Sequence, residues 1–224
     1  MRRSPLTRTR TLGSVVLLVL LLAVPGTAVG SENKEVDESQ LVPALSPNFS
    51  PYDCKLKKDG PVCTGAWAFD TGWEELDDIP CETPLWIRTV QDRHQTRYYD
   101  HDYLNHYRES RTNDIEYLST SPDAWPTATL RTNVRWTQTF DVRGDDRTMI
   151  QTSPGVFWDL RPAQGPALFR VVGTMVEPYN GPATFSGQVT VDGVPTRYQD
   201  VPLDDILDED EFLANFCRAA TAGS

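Results

Sequence analysis

The first thirty residues constrain the rest of the chain most strongly, because they indicate the compartment in which it folds. Four arginines precede an uninterrupted apolar run over residues 15–25, and small residues follow that run. A basic region, a short apolar region and a small-residue exit are typical of a secretory signal peptide. The sequence therefore predicts that residues 1–30 are a signal peptide and that the mature protein is secreted.

The same segment leaves a second interpretation open. Its central apolar run is shorter than the roughly 20 residues of a membrane-spanning helix. Counted from Leu12 to Val29, however, the stretch approaches that length. Retention as an N-terminal anchor therefore remains an alternative to cleavage. No second apolar stretch of this length follows in the sequence, so we expect no membrane span after signal cleavage.

The composition of residues 31–224 fits one acidic globular domain that is long enough to bury a substantial core. Without the four signal arginines, 17 Lys and Arg stand against 32 Asp and Glu, which gives a net charge of −15. Such a charge repels nucleic acids and anionic membranes on approach. We therefore predict no nucleic-acid partner, and the acidity itself indicates solubility rather than a particular ligand.

All four cysteines lie beyond the predicted signal peptide, at Cys54, Cys63, Cys81 and Cys217. In an oxidising compartment an even number predicts two disulfides, for which three pairings are possible. The Asp-Gly dipeptide at 59–60 indicates a tight hairpin turn that would bring the first two sulfurs together. This favours the pairing Cys54–Cys63, which leaves Cys81–Cys217 to join the start of the domain to its C-terminal end.

Residues 53–224 are predicted to form a single mainly-β domain. Period-two alternation of β-forming residues recurs between turn signals, and the clearest hairpin has its turn at Asp192-Gly193. Many short strands of this kind favour an antiparallel β-sandwich or a barrel-like fold over alternating strands and helices. The predicted strands cover residues 85–90, 127–142, 148–152, 168–176, 185–191 and 194–201.

Three segments are predicted to lie outside the strands. Residues 31–52 are acidic and rich in proline without periodic apolar residues, which predicts a flexible, solvated N-terminal arm. At the other end the acidic run 208–211 suits the start of a C-terminal helix, with Asp208 and Glu211 spaced as a capping box. A recurrence of tyrosine every fourth residue predicts a second helix over 97–107.

One short segment carries all three histidines of the protein, interleaved with aspartates and tyrosines. Imidazole and carboxylate groups bind divalent metals or act as general acid and base near neutral pH. No H-E-x-x-H or comparable motif is present, so an ordinary polar surface segment is the alternative. The segment supports the hypothesis of a metal-dependent or acid–base hydrolase or lyase, with zinc or calcium as candidate metals. Its candidate residues are His94, His101, His106, Asp100 and Asp102.

The six tryptophans are the second candidate. Trp86 and Trp136 lie within strand patterns and are predicted to belong to the core, since tryptophan is usually well buried. Trp73, Trp125 and Trp158 lie in segments rich in proline, glycine or charge, which predicts exposure. An exposed flat ring can stack against the apolar face of a sugar, and Trp73, Trp125 and Tyr179 are the predicted ligand-binding surface. The alternative is that the tryptophans only pack.

These patterns give three functional hypotheses. The leading one is a secreted extracellular or envelope-associated binding module without catalytic activity, whose partner is a carbohydrate or another cell-surface molecule. It predicts no cofactor. The second hypothesis is the histidine-dependent hydrolase or lyase, and the third is a structural envelope protein that has neither metal nor ligand. The sequence alone does not decide between them.

Overall fold

The computed structural model describes residues 35–77, 79, 81–206 and 209–222, with the backbone alone at Glu209. The predicted signal peptide lies outside these residues. So does Asp208, the first residue of the predicted capping box.

Ten antiparallel strands form one sheet in the described part of the chain. Nearly every strand pairs with its neighbour in the sequence, in the order β1-β2-β4-β5-β6-β7-β8-β9-β10, and β3 pairs with the start of β4. The predicted mainly-β, antiparallel architecture is thereby confirmed. The strands are β1 (Asp53–Lys57), β2 (Gly60–Asp70), β3 (Glu74–Leu76), β4 (Leu85–Tyr99), β5 (Asn105–Ser119), β6 (Ala128–Phe140), β7 (Met149–Pro162), β8 (Phe169–Pro178), β9 (Thr184–Val191) and β10 (Val194–Pro202).

The predicted C-terminal helix is present as α1 (Glu209–Thr221). The second predicted helix, over 97–107, is wrong, because this segment contains the end of β4, a turn and the start of β5. The tyrosines recur every fourth residue across that turn, where Tyr103 adopts a positive φ of 63°. Among the described residues, no helix combines the length and the apolar character needed to cross a membrane.

The two faces of the sheet differ in what covers them. Side chains alternate between the faces along each strand, and α1 packs on the face that carries Leu85, Leu118 and Leu160. We call this the inner face and the opposite one the outer face. At one end of the inner face, which we call the helix end, a large apolar cluster lies beneath α1. Its buried strand residues include Leu130, Val134, Phe157, Phe169, Val171, Phe185 and Val189, and the helix contributes Phe216, Ala219 and Ala220.

A smaller cluster lies at the other end of the inner face, which we call the arm end. There Val36 and Leu41 from the N-terminal segment pack with Cys63 and Tyr99 of the sheet. The prediction of a solvated N-terminal arm over residues 31–52 is therefore wrong at Val36 and Leu41, which are buried. Isolated apolar residues in a segment without secondary-structure periodicity give no pattern from which such packing can be predicted.

Both predicted disulfides are present. Cys54 and Cys63 are directly opposite each other in the β1–β2 hairpin, as the Asp-Gly turn predicts. Cys81, before β4, is joined to Cys217 in α1 across a sequence separation of 136. Two disulfides are compatible with an extracellular location.

Candidate functional site

The main candidate site is a cavity of about 550 Å³ at the edge of the outer face. Trp73 and Trp125, two of the three residues in the predicted ligand-binding surface, both line it although they are far apart in the sequence. Trp73 precedes β3, and Trp125 belongs to the loop between β5 and β6. Because β4 and β5 are hydrogen-bonded neighbours, the two loops emerge at the same end of the sheet.

The segment before β3 presents Trp73 through a tight local turn. Gly72 has a positive φ of 72°, a conformation that a side chain would disfavour, and its N–H donates to Oδ1 of Asp70 at 3.1 Å. The N–H of Thr71 donates to the carbonyl of Thr89 in β4 at 3.1 Å. These contacts fix the turn to the sheet, so Trp73 is held at the cavity by backbone geometry.

Trp125 has 91% of its surface accessible, the highest value among the large apolar side chains that the structure describes as exposed. The loop that carries it is ordered by Ser119, whose hydroxyl donates to the carbonyl of Ser121 at 2.7 Å. The N–H of Ala124 also donates to that carbonyl, at 3.2 Å. Because tryptophan is normally well buried, an indole that an ordered loop leaves in solvent is a stronger indication of a ligand-binding role than a buried one.

An ion pair forms the polar part of the cavity. Arg88 of β4 donates from Nε and Nη2 to the two carboxylate oxygens of Asp70, at 2.9 and 2.5 Å. The hydrogen bond from Arg88, followed by the one from the Gly72 N–H, lowers the pKa of Asp70 to about 2. The pair therefore stays charged throughout the physiological pH range, beside the aromatic ring of Tyr117.

The structure places the third predicted ligand residue elsewhere. Tyr179 is 54% exposed and follows β8, where its N–H donates to the carbonyl of Met149 at the start of β7. That position is at the opposite end of the strands from Trp125, so Tyr179 does not line this cavity. Of the tryptophans predicted for the core, Trp136 packs against the apolar cluster, and Trp86 is half-buried on the outer face. The prediction of exposure is wrong for Trp158, which packs against the same cluster, and Trp73 is half-buried.

The histidines do not share one site. His94 lies in the middle of β4 with Nε2 at 3.2 Å from Oδ1 of Asp92, whereas His101 is exposed in the β4–β5 turn. His106 lies near the start of β5, just beyond the point where Tyr107 pairs with Tyr98 of β4. Tyr98 is four residues along β4 from His94. At about 3.3 Å per residue that separation is at least about 13 Å. Within the described residues, no group of three His, Cys, Asp or Glu side chains is placed to hold a metal ion.

The aspartates of the histidine segment have a structural role in the turn. Oδ1 of Asp100 accepts hydrogen bonds from the N–H groups of Asp102 and Leu104, both at 3.0 Å, and Oδ2 pairs with Arg143 at 3.0 Å. Partial burial alone raises the pKa of Asp100. The hydrogen bonds from Leu104 and Arg143 outweigh that effect, so the pKa lies below its usual value. Asp102 itself is exposed.

Comparison with known proteins finds no matching protein family, curated protein or solved structure. Function is therefore inferred from the side chains and their arrangement. The residues that sequence reasoning missed at the cavity are Asp70, Arg88 and Tyr117. A signal was available for Arg88, because the alternation in β4 places it on the face opposite the buried Leu85 and next to the exposed loops.

Proposed function

We propose that this protein is a secreted extracellular or envelope-associated binding module without catalytic activity, and that it holds a carbohydrate in the cavity between Trp73 and Trp125. One observation carries the proposal: two separate loops bring two indole rings to a single cavity that also contains an arginine–aspartate pair. The predicted signal peptide and the two disulfides support the extracellular part.

The chemistry of the cavity fits a sugar. Its volume of about 550 Å³ falls in the ordinary range of small-ligand sites. The C–H groups on one face of a pyranose ring can lie against an indole, while its hydroxyls need donors and acceptors at the ring edge. Arg88 offers further N–H groups and Asp70 further lone pairs beyond those that they use with each other.

The positions of the histidines make the hydrolase hypothesis less well supported. General acid–base chemistry needs its groups within hydrogen-bond reach of one substrate. His94 lies within β4, about 13 Å along the strand from His106 at the start of β5, and His101 lies in the turn between these strands. The three side chains therefore do not face one substrate position.

The test is a glycan array probed with the native protein, followed by calorimetric titration of the best ligand. Trp73→Ala and Trp125→Ala are each expected to weaken binding about tenfold or more, because aromatic anchors dominate such contacts. The matched control is Tyr179→Ala, which removes an exposed aromatic ring outside the cavity.

Binding that survives both tryptophan substitutions together would overturn the proposal. Because Trp125 is exposed, its replacement by alanine is not expected to unfold the protein. Thermal unfolding of each variant checks that lost binding does not result from lost folding. Release of reducing ends from the bound glycan, abolished by His94→Ala, would instead support the hydrolase hypothesis.

A further inference from the structure

A row of basic side chains crosses the outer face away from the tryptophan cavity. His94, Arg111 and Arg135 are directly opposite one another on β4, β5 and β6. They line a second cavity, of about 440 Å³, whose lining also includes Thr96, Asn133 and one acid, Glu109. Three nitrogen-rich groups therefore converge on one open depression.

The positive charge in this row is only partly balanced. Like charges directly opposite each other on neighbouring strands destabilise a sheet, which applies to Arg111 and Arg135. Arg135 has Oε2 of Glu109 at 3.3 Å, and the imidazole of His94 has Asp92. Arg111 is exposed and has no acidic partner among the described residues. An anion in the cavity would relieve the repulsion between the two arginines.

The rest of the outer face also carries more basic than acidic side chains, although the whole chain has a net charge of −11. Along β2 and β4–β8 this face presents more arginines than acidic residues, and each of its acids lies within 4 Å of an arginine or, for Asp92, of His94. The arginines are Arg88, Arg111, Arg131, Arg135, Arg161 and Arg170, and the acids are Asp70, Asp92, Glu109 and Asp159. The excess negative charge of the protein therefore lies on other parts of the surface.

We propose, as a refinement that depends on the proposed carbohydrate function, that the ligand is an anionic glycan whose carboxylate or sulfate groups bind at Arg111 and Arg135. Both cavities open on the outer face. Val90 lines the tryptophan cavity and His94 the basic one. Four residues of β4 separate them, a distance of about 13 Å. One oligosaccharide can therefore stack at the tryptophans and reach the arginines with a charged group.

The distribution of acids on this face disfavours a nucleic acid as the ligand. A nucleic acid carries a phosphate on every nucleotide, and its affinity depends on neutralising many of them. Beside the row, Asp92 and Glu109 would repel most of these phosphates. A glycan with sparse charges can place its anionic groups at the arginines and its hydroxyls beside the acids.

The experiment uses two matched pairs of polymers with the full-length secreted protein. Polygalacturonate is compared with its methyl ester, which lacks the carboxylate charge, and dextran sulfate with dextran. In affinity electrophoresis and calorimetry we expect at least one charged polymer to bind about tenfold or more tightly than its neutral partner, and the pair that responds identifies the anion.

The matched variants separate local recognition from general charge. Arg111→Gln combined with Arg135→Gln is expected to abolish the preference for the charged polymer and to lower the salt dependence of its binding. Arg143→Gln combined with Arg147→Gln removes the same charge from exposed arginines outside the face and is expected to leave the preference intact.

The failures of the two proposals are distinguishable. Equal binding of charged and neutral polymers that still requires Trp73 and Trp125 would overturn the anionic ligand and leave the carbohydrate function standing. If none of the four polymers binds but the glycan array identifies a neutral ligand, the anionic ligand is likewise overturned and the carbohydrate function still stands. Tighter binding of a single-stranded DNA oligonucleotide would overturn both.

Discussion

The two ends of the inner face are stabilised by different physics. At the helix end fifteen buried apolar residues, three of them from α1, form one cluster, and the buried polar side chains that adjoin it, Thr127 and Asn215, are uncharged. At the arm end the buried apolar cluster has four residues, and buried polar side chains surround it. Apolar burial is proportional to area and tolerates repacking, whereas buried polar groups depend on individual hydrogen bonds. The helix end is therefore the larger source of stability, and the arm end the more sensitive to single polar substitutions.

Two buried arginines illustrate this sensitivity at the arm end. Arg97 and Arg108 are directly opposite each other on β4 and β5. Arg97 donates from Nη1 to the carbonyl of Ala44 at 2.9 Å, which ties the N-terminal segment to the sheet. Arg108 donates to Asn105 and Asp146, both at 2.6 Å. Burial, with the charge of Arg97, lowers the pKa of Arg108, so these hydrogen bonds offset a real cost of desolvation.

The largest expected difference between the two ends comes from their disulfides. Replacing Cys81 and Cys217 by alanine is expected to lower the free energy of unfolding by about 5 kcal/mol, because the bond closes a loop with a sequence separation of 136. Replacing Cys54 and Cys63 is expected to cost about 3 kcal/mol, since that loop has a separation of 9. Urea unfolding of both double variants tests this, and equal losses would contradict the loop-length argument.

Next in size is the effect of removing one apolar side chain from each cluster. Phe216→Ala in α1 is expected to cost about 4 kcal/mol, because it opens a cavity beside the ring of Phe212 within the large apolar cluster. Leu41→Ala at the arm end is expected to cost about 2 kcal/mol, since fewer neighbours lose contacts there. Denaturant midpoints at constant m-value give both numbers. A larger loss for Leu41→Ala would reverse the ranking of the two ends.

Removal of one buried polar side chain at the arm end is expected to have an effect no larger than that of Leu41→Ala, and one specific to its hydrogen bonds. Arg108→Met leaves Asn105 and Asp146 without their donor and is expected to cost about 2 kcal/mol through the lost hydrogen bonds. The loss stays moderate because the carboxylate of Asp146 is half-exposed and regains water. Protease protection of residues 35–52 is the second readout, and Arg143→Met serves as the exposed control. An unchanged stability would show that the hydrogen bonds contribute nothing net.

The smallest expected effect concerns Glu116, which lies on the inner face directly opposite Leu130 of the helix-end cluster. Burial, with a smaller contribution from Asp114, raises its pKa above the ordinary value of 4.5. A raised carboxyl pKa favours the folded state while the group is protonated, and this advantage is lost as the pH rises through the folded value. Glu116→Gln is therefore expected to stabilise the protein at pH 7 and to change little below pH 4, as measured by thermal unfolding across pH. Equal effects at both pH values would contradict the assignment.

The features that could be predicted from the sequence are those that a short stretch of neighbouring residues determines. The Asp-Gly turn placed Cys54 opposite Cys63, and the acidic start with a following apolar stripe located α1. Strand β5 was missed because its inner positions include Arg108, Ser110, Thr112, Asp114 and Glu116, so the apolar alternation that marks a strand is absent.

The candidate site shows the same limit. The exposure of Trp125 could be inferred from its proline-rich and charged surroundings, because composition near a residue is a local property. That Trp73 and Trp125 line one cavity, and that Arg111 faces Arg135, depends on the pairing of β4, β5 and β6. Register across strands is set by long-range packing, which no single segment of the sequence encodes.

The order of strands in the sheet has a consequence for how the chain folds. Each long strand finds its partner next to it in the sequence, so the sheet can grow hairpin by hairpin with short loop closures. Helix α1, which carries Cys217, must instead travel back to a distant part of the chain, and it is synthesised after all ten strands. A nascent chain that has not yet reached residue 209 therefore has a nearly complete sheet in which α1 does not yet cover Leu160, Phe169 and Val171. The protein is most prone to aggregate during this stage of its synthesis.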